Sequence, residues 1–202
     1  MTLVMPDDIV VLGHDRSSLD AIARPDAALA IWWRSLPDAL RAALAFLDLD
    51  TVDDVSLDLA AGEAIDGALA DAGYADPVAT LLAEDIGLLV RRHAALIGED
   101  RLRLRLEVVE TDACRRFHAD FVTLRLLCSY IGPGTQWCRA DAADAVCEVP
   151  TGAVAVFKGR LLLDPPTILH RSPPISATGE RRLVLAIDPL PGPPIACGRT
   201  SA

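Results

Sequence analysis

Residues Arg101 to Glu110 read RLRLRLEVVE, placing Leu102, Leu104, Leu106 and Val108 on one side and Arg101, Arg103, Arg105 and Glu107 on the other. A repeat of two belongs to extended chain, where successive side chains point to opposite faces, and an apolar face backed by a charged one predicts a half-buried strand. Further apolar runs follow at Leu124 to Ile131, Ala153 to Phe157, Leu161 to Leu163 and Leu183 to Ile187, separated by turns containing Gly and Pro. Short strands with turn signals every ~8 to 12 residues favour a sandwich or jelly-roll barrel over a parallel sheet with intervening helices.

Upstream of Arg101 the pattern is different. The first hundred residues are rich in Ala, Leu and Asp. Asp38 to Leu47 follows Pro37, a suitable helix-entry residue, and Pro77 to Ile97 carries apolar residues at helical spacing and stops before Gly98. Ser56 to Ala72 is read as a further helical region, and Ile9 to Leu12 and Ala28 to Trp33 as short strands. The expected fold is α+β. Residues 1–100 form a mainly helical N-terminal layer of the same domain, residues 101–190 a double-stranded β-helix (jelly-roll, cupin-like) core, and residues 191–202 an irregular Pro- and Gly-rich tail.

A chain of 202 residues is long enough for one full-sized core. No apolar run approaches the roughly 18 to 20 residues that cross a bilayer. The N-terminus, MTLVMPDDIVVLGHD, has neither the basic flank nor the apolar stretch of an export signal, so a cytoplasmic location is expected. Net charge is −10 with no dense Lys/Arg block, which argues against a nucleic-acid partner and for a small-molecule or protein substrate. The five cysteines contain no C-x-x-C pair, so reduced thiols acting as small core hydrophobes are expected rather than a structural zinc site.

Four histidines are present, and His118 (RRFHADF) and His170 (ILHRSPP) fall in the β-rich half. In extended chain His118 and Asp120 point to one side and can offer an imidazole and a carboxylate to one ion. His170 completes a two-histidine, one-carboxylate set if its strand lies beside the first, and that set suits non-haem Fe(II) because three positions stay open. Arg181 and Arg182 stand eleven and twelve residues beyond His170, at the start of an apolar run. A guanidinium there is suited to a dicarboxylate co-substrate, and strand alternation lets only one of the pair face inward. Arg171 and Ser172, directly before Pro173 and Pro174, and Arg125 are candidates to line the substrate entrance. His14 and His93 are read as structural or solvated, and Trp32 and Trp33 as packing residues.

The stretches HADFVTLRLLCSYIGPGTQW, VPTGAVAVFKG and HRSPPISATGERRLVLAID resemble the 2-oxoglutarate/Fe(II)-dependent dioxygenase superfamily, in particular its prolyl-hydroxylase-like members, over roughly Leu102 to Asp188. The resemblance implies that His118, Asp120 and His170 ligate Fe(II). It also implies that Arg181, in preference to Arg182, binds the far carboxylate of 2-oxoglutarate with Tyr130 as a hydrogen-bonding partner. More narrowly, CRRFHADF, GPGTQW and HRSPP resemble the bacterial domain-of-unknown-function 1826 family, a name that carries no activity. Two other functions stay open. The same triad suits a non-catalytic module for zinc binding or metal homeostasis, with Zn(II) as the alternative metal, and a barrel without metal would be an interaction domain.

Overall fold

A computed structural model describes residues 9–190. The 191–202 tail and its Cys197 lie outside the described residues. In chain order the elements are β1 (Val10–Gly13), β2 (Leu29–Trp32), α1 (Asp38–Leu44), β3 (Val55–Ala60), α2 (Asp66–Asp71), α3 (Val78–Ile97), β4 (Arg101–Val109), β5 (Leu124–Ile131), β6 (Thr135–Arg139), β7 (Ala142–Val149), β8 (Val154–Lys158), β9 (Ile168–Arg171) and β10 (Arg182–Pro189). Two 3-10 segments, Arg16–Ala23 and Leu49–Thr51, complete the set.

The strands form a seven-stranded sheet in the order β1-β2-β8-β5-β10-β4-β3 and a three-stranded sheet in the order β7-β6-β9. The alternation at Arg101 becomes β4, with Leu102, Leu104 and Leu106 fully buried. Each such burial contributes about 2 kcal/mol. These leucines face α3, whose buried residues Leu82, Ile86, Leu89 and Val90 recur at helical spacing. Gly98 ends that helix in the left-handed conformation at φ 72°, its N–H bonded to Ala94 O at 2.9 Å.

The other face of the large sheet is covered by the small one. Leu29, Ile31, Leu127, Ala155, Phe157 and Ala186 from the large sheet pack with Val149 and Ile168 from β7 and β9 in a second apolar cluster. Odd and even positions of the central strands therefore serve different cores: Leu126, Cys128 and Tyr130 of β5 face the helices, and Leu127 faces the small sheet. On β10 Leu183, Leu185 and Ile187 face the helices, and Ala186 the small sheet.

Several expectations need correction. The N-terminal hundred residues are not only a helical layer, since β1, β2 and β3 all join the large sheet. Within Ser56 to Ala72 the first part is strand. Val55, Leu57 and Leu59 have the period of two that pairs β3 with β4, and only Asp66–Asp71 is helical. Leu161 to Leu163 is a turn after β8, with Leu161 and Leu162 about half exposed. Among the described residues no helix is long and apolar enough to cross a membrane.

Candidate metal centre

His118 lies in the irregular stretch 110–123 between β4 and β5, held to β9 by one isolated antiparallel bridge. Its N–H donates to His170 O at 3.0 Å, and the His170 N–H donates to His118 O at 2.8 Å. The bridge sets the two imidazoles side by side, with ring centroids 4.7 Å apart and planes at 53°. Asp120, two residues on, is held from the other side, where its carbonyl accepts from the Arg160 N–H at 2.8 Å in the turn after β8. One donor atom from each of His118, Asp120 and His170 then falls within 4.8 Å of the others.

The cluster fits a divalent cation on its own chemistry. His118 Nδ1 lies 2.8 Å from Arg116 O, and a carbonyl can only accept, so Nδ1 carries the proton and the Nε2 lone pair is left for the cluster. That Nε2 is 3.7 Å from Asp120 Oδ1, and His170 Nε2 is 3.0 Å from Asp120 Oδ2. Despite this proximity Asp120 Oδ2 is buried without hydrogen-bond geometry to any partner among the described residues. A buried carboxylate oxygen left unpaired is costly unless something positive occupies its lone pairs.

Burial would raise the Asp120 carboxyl, but His170, then Arg125 and His118, outweigh it and hold the group at about 2. Burial lowers His170, against the raising effect of Asp120, which keeps the imidazole neutral and able to ligate near neutral pH.

His118 and His170 open onto a cavity of about 480 Å3 that is also lined by Arg125, Ser172, Arg182 and Cys114. Arg182 is 1% exposed and pairs with no carboxylate among the described residues. Its Nε donates to Pro133 O at 2.7 Å, Nη1 to Ser172 Oγ, and Nη2 to Ser129 Oγ at 3.1 Å and Thr135 Oγ1 at 3.3 Å. Burial brings the guanidinium down to about 10, still charged at neutral pH.

Arg181 is placed elsewhere. It does not line the cavity itself, and pairs with Asp50 at 2.9 Å and with Glu110, a residue of the cavity wall. The strand phase of β10 decides the pair, because Arg182 is in register with Val184 and Ala186, which line the cavity. Of the two candidates, the structure places Arg182 and not Arg181 in the cavity wall. Tyr130 is also away from the cavity, buried on the helix side of β5, where it donates to Asp85 Oδ2 at 2.7 Å.

The three weaker candidates all line the cavity. Ser172 accepts from Arg182. Arg171 donates to Gln136 Oε1 at 2.8 Å and stacks 4.3 Å from the Phe117 ring. Arg125 is engaged with Asp120 at 2.6 Å and with Asp188 at 2.7 Å. Asp188, Ser129 and Thr135 escaped sequence reasoning. The available signal was phase, since Asp188 falls six residues after Arg182 and so on the same face of β10.

The family model described as "Protein of unknown function (DUF1826)" matches residues 13–188. No curated protein matches the sequence. Among solved structures, a prolyl 4-hydroxylase from Phytophthora capsici is 15% identical with a TM-score of 0.50, covering 87% of this chain and 63% of that one. A Pseudomonas putida prolyl-4-hydroxylase is 18% identical with a TM-score of 0.47, covering 86% of this chain and 96% of that one. The rice dioxygenase for auxin oxidation is 16% identical with a TM-score of 0.45, covering 74% and 66%. At 15% identity the Phytophthora likeness speaks to fold alone, and the two packed sheets with helices outside them agree with it. The match over 13–188, which takes in the whole of the candidate site, establishes that the chain belongs to the DUF1826 family.

Proposed function

We propose that the chain is a non-haem Fe(II)- and 2-oxoglutarate-dependent oxygenase of the hydroxylase type, acting on a small-molecule or protein substrate, with His118, Asp120 and His170 as its metal ligands. One observation carries this: the two histidines of the His118, Asp120 and His170 cluster line a cavity with Arg182, a buried guanidinium that pairs with no carboxylate among the described residues.

Two imidazoles and one carboxylate leave positions open on a six-coordinate ion, as a chelating keto acid requires. Arg182, held by Pro133, Ser172, Ser129 and Thr135, gives the far carboxylate of such a co-substrate a fixed positive charge with one Nη1 N–H uncommitted among these bonds. Bound there, Fe(II) and 2-oxoglutarate supply the activation of dioxygen for C–H hydroxylation. Leu127, Val184 and Ala186 in the cavity wall present apolar surface that disfavours bulk water around the reacting groups. The two sheets and the Phytophthora likeness support a double-stranded β-helix as the finer description of the core.

The test is anaerobic titration of metal-free protein with Fe(II) and then 2-oxoglutarate, following the weak visible charge-transfer band of the chelate. The band is expected in the wild type and in Arg181→Ala, and is expected to vanish in Arg182→Ala. His118→Ala should bind no metal at the site. Metal binding without any response to 2-oxoglutarate would replace the oxygenase with a zinc-binding or metal-handling module.

A further inference from the structure

The two oxygens of Asp120 are treated differently. Oδ1 lies 2.6 Å from Arg125 Nη1, whereas Oδ2 is buried without a hydrogen bond, 3.0 Å from His170 Nε2. Arg125 is itself fixed from behind, since its Nε and Nη2 donate to the two oxygens of Asp188, both at 2.7 Å. Asp188 Oδ2 also accepts from Arg105 Nη2 at 3.3 Å, and Arg105 Nη1 donates to Glu107 Oε1 at 3.2 Å. Arg125, Asp188 and Arg105 stand on β5, β10 and β4, three consecutive strands of the large sheet. A planar guanidinium held through two parallel bonds has its orientation set as well as its position.

We propose that Arg125 is a positioning residue, clamped by Asp188, that occupies Oδ1 of Asp120 so that this carboxylate presents only Oδ2 to a divalent cation. The inference rests on His118, Asp120 and His170 being the metal ligands. A carboxylate with one oxygen committed donates once, and the coordination position that a second oxygen would fill stays free for other ligands. Groups beyond the ligands of a metal orient those ligands in this way.

The sign of the effect separates a clamp from a bystander. A guanidinium beside the site repels a divalent cation, so removing a mere neighbouring charge tightens metal binding. Removing a clamp weakens it, because Asp120 is no longer held in the donating geometry.

The experiment is a Co(II) titration of the full chain, followed by the visible d–d absorption, for the wild type, Arg125→Gln, and Arg125→Gln combined with Asp188→Asn. The double variant removes the Asp188 charge, which the single substitution leaves with Arg105 alone of its two arginines, and circular dichroism reports the folding of each. Folded variants are expected to bind Co(II) at least tenfold more weakly than the wild type. Their absorption spectrum is also expected to differ from that of the wild type, as Asp120 no longer presents Oδ2 in a fixed orientation. Wild-type or tighter affinity with an unchanged spectrum in a folded variant overturns the clamp and leaves the metal centre standing. Failure of the wild type to bind Co(II) overturns the metal centre, and the clamp with it.

Discussion

Arg34 brings a charge into the helix-side core, where it meets Asp85 through two bonds of 2.6 and 2.7 Å with side chains only 9% and 4% exposed. Tyr130 donates to the same carboxylate, and Arg34 Nε donates to Gly152 O at 2.9 Å. Removing one partner of a buried pair strands the other, so Arg34→Met is expected to cost about 3 to 5 kcal/mol in urea unfolding, and Tyr130→Phe about 1 to 3 kcal/mol. Both variants should bind 2-oxoglutarate as the wild type does, because this network faces away from the cavity. Single residues were legible where chemistry is scarce: two of four histidines and one nearby Asp stood out by type and spacing. The Arg181 and Arg182 pair was not, because β10 is apolar on both faces and an apolar residue in either phase gives no sign of which core it serves.

At the scale of elements, Asp120 depends on the turn that follows β8. The Gly159 N–H donates to Thr123 O at 2.8 Å, and the next N–H donates to Asp120 O. A Cβ on Gly159 would stand 2.1 Å from Val122 O and 2.9 Å from Asp120 O, so the segment carrying the carboxylate would have to move. Gly159→Ala is therefore expected to cost about 1 to 3 kcal/mol in stability and at least a tenfold loss in metal affinity, checked by denaturant melts and metal titration of the same sample. A folded variant with undiminished affinity would show that the turn does not govern the ligand. Elements with a one-sided pattern, such as β4 and α3, were legible from the sequence. The strand β7 was not, since Ala142–Val149 is exposed along most of its length at an edge of the small sheet and needs no apolar face. Leu161 to Leu163 misled for the opposite reason, as an apolar run in a turn that leaves Leu161 and Leu162 at the surface.

Across the whole molecule, the large sheet is a wall shared by two cores, and a titratable group buried against it couples folding to pH. His93 on α3 is fully buried, and burial, only partly offset by Asp188 and the backbone at Leu124, lowers it to about 4. Above pH ~6.5 the imidazole is neutral in both folded and unfolded chains, so this stability is complete. As pH falls from there toward 4, the unfolded chain takes up a proton that the folded one refuses, and on the order of 3 kcal/mol is lost. His93→Leu should flatten that part of the stability curve, measured as the difference from wild type between pH 7 and pH 4.5. A parallel pair of curves would show that His93 does not cause the loss. The overall α+β layout was legible because strand periodicity dominates after Arg101, whereas the contribution of β1 to β3 to the same sheet is a long-range pairing that no local pattern encodes.

The paired backbone bonds between His118 and His170 close a loop of roughly fifty residues, an ordering that costs about 3 to 4 kcal/mol of chain entropy before any other constant. Only completed strand pairing repays that cost. The capacity to hold an ion is therefore a property of the finished architecture, and no peptide cut from either side of β5 carries it.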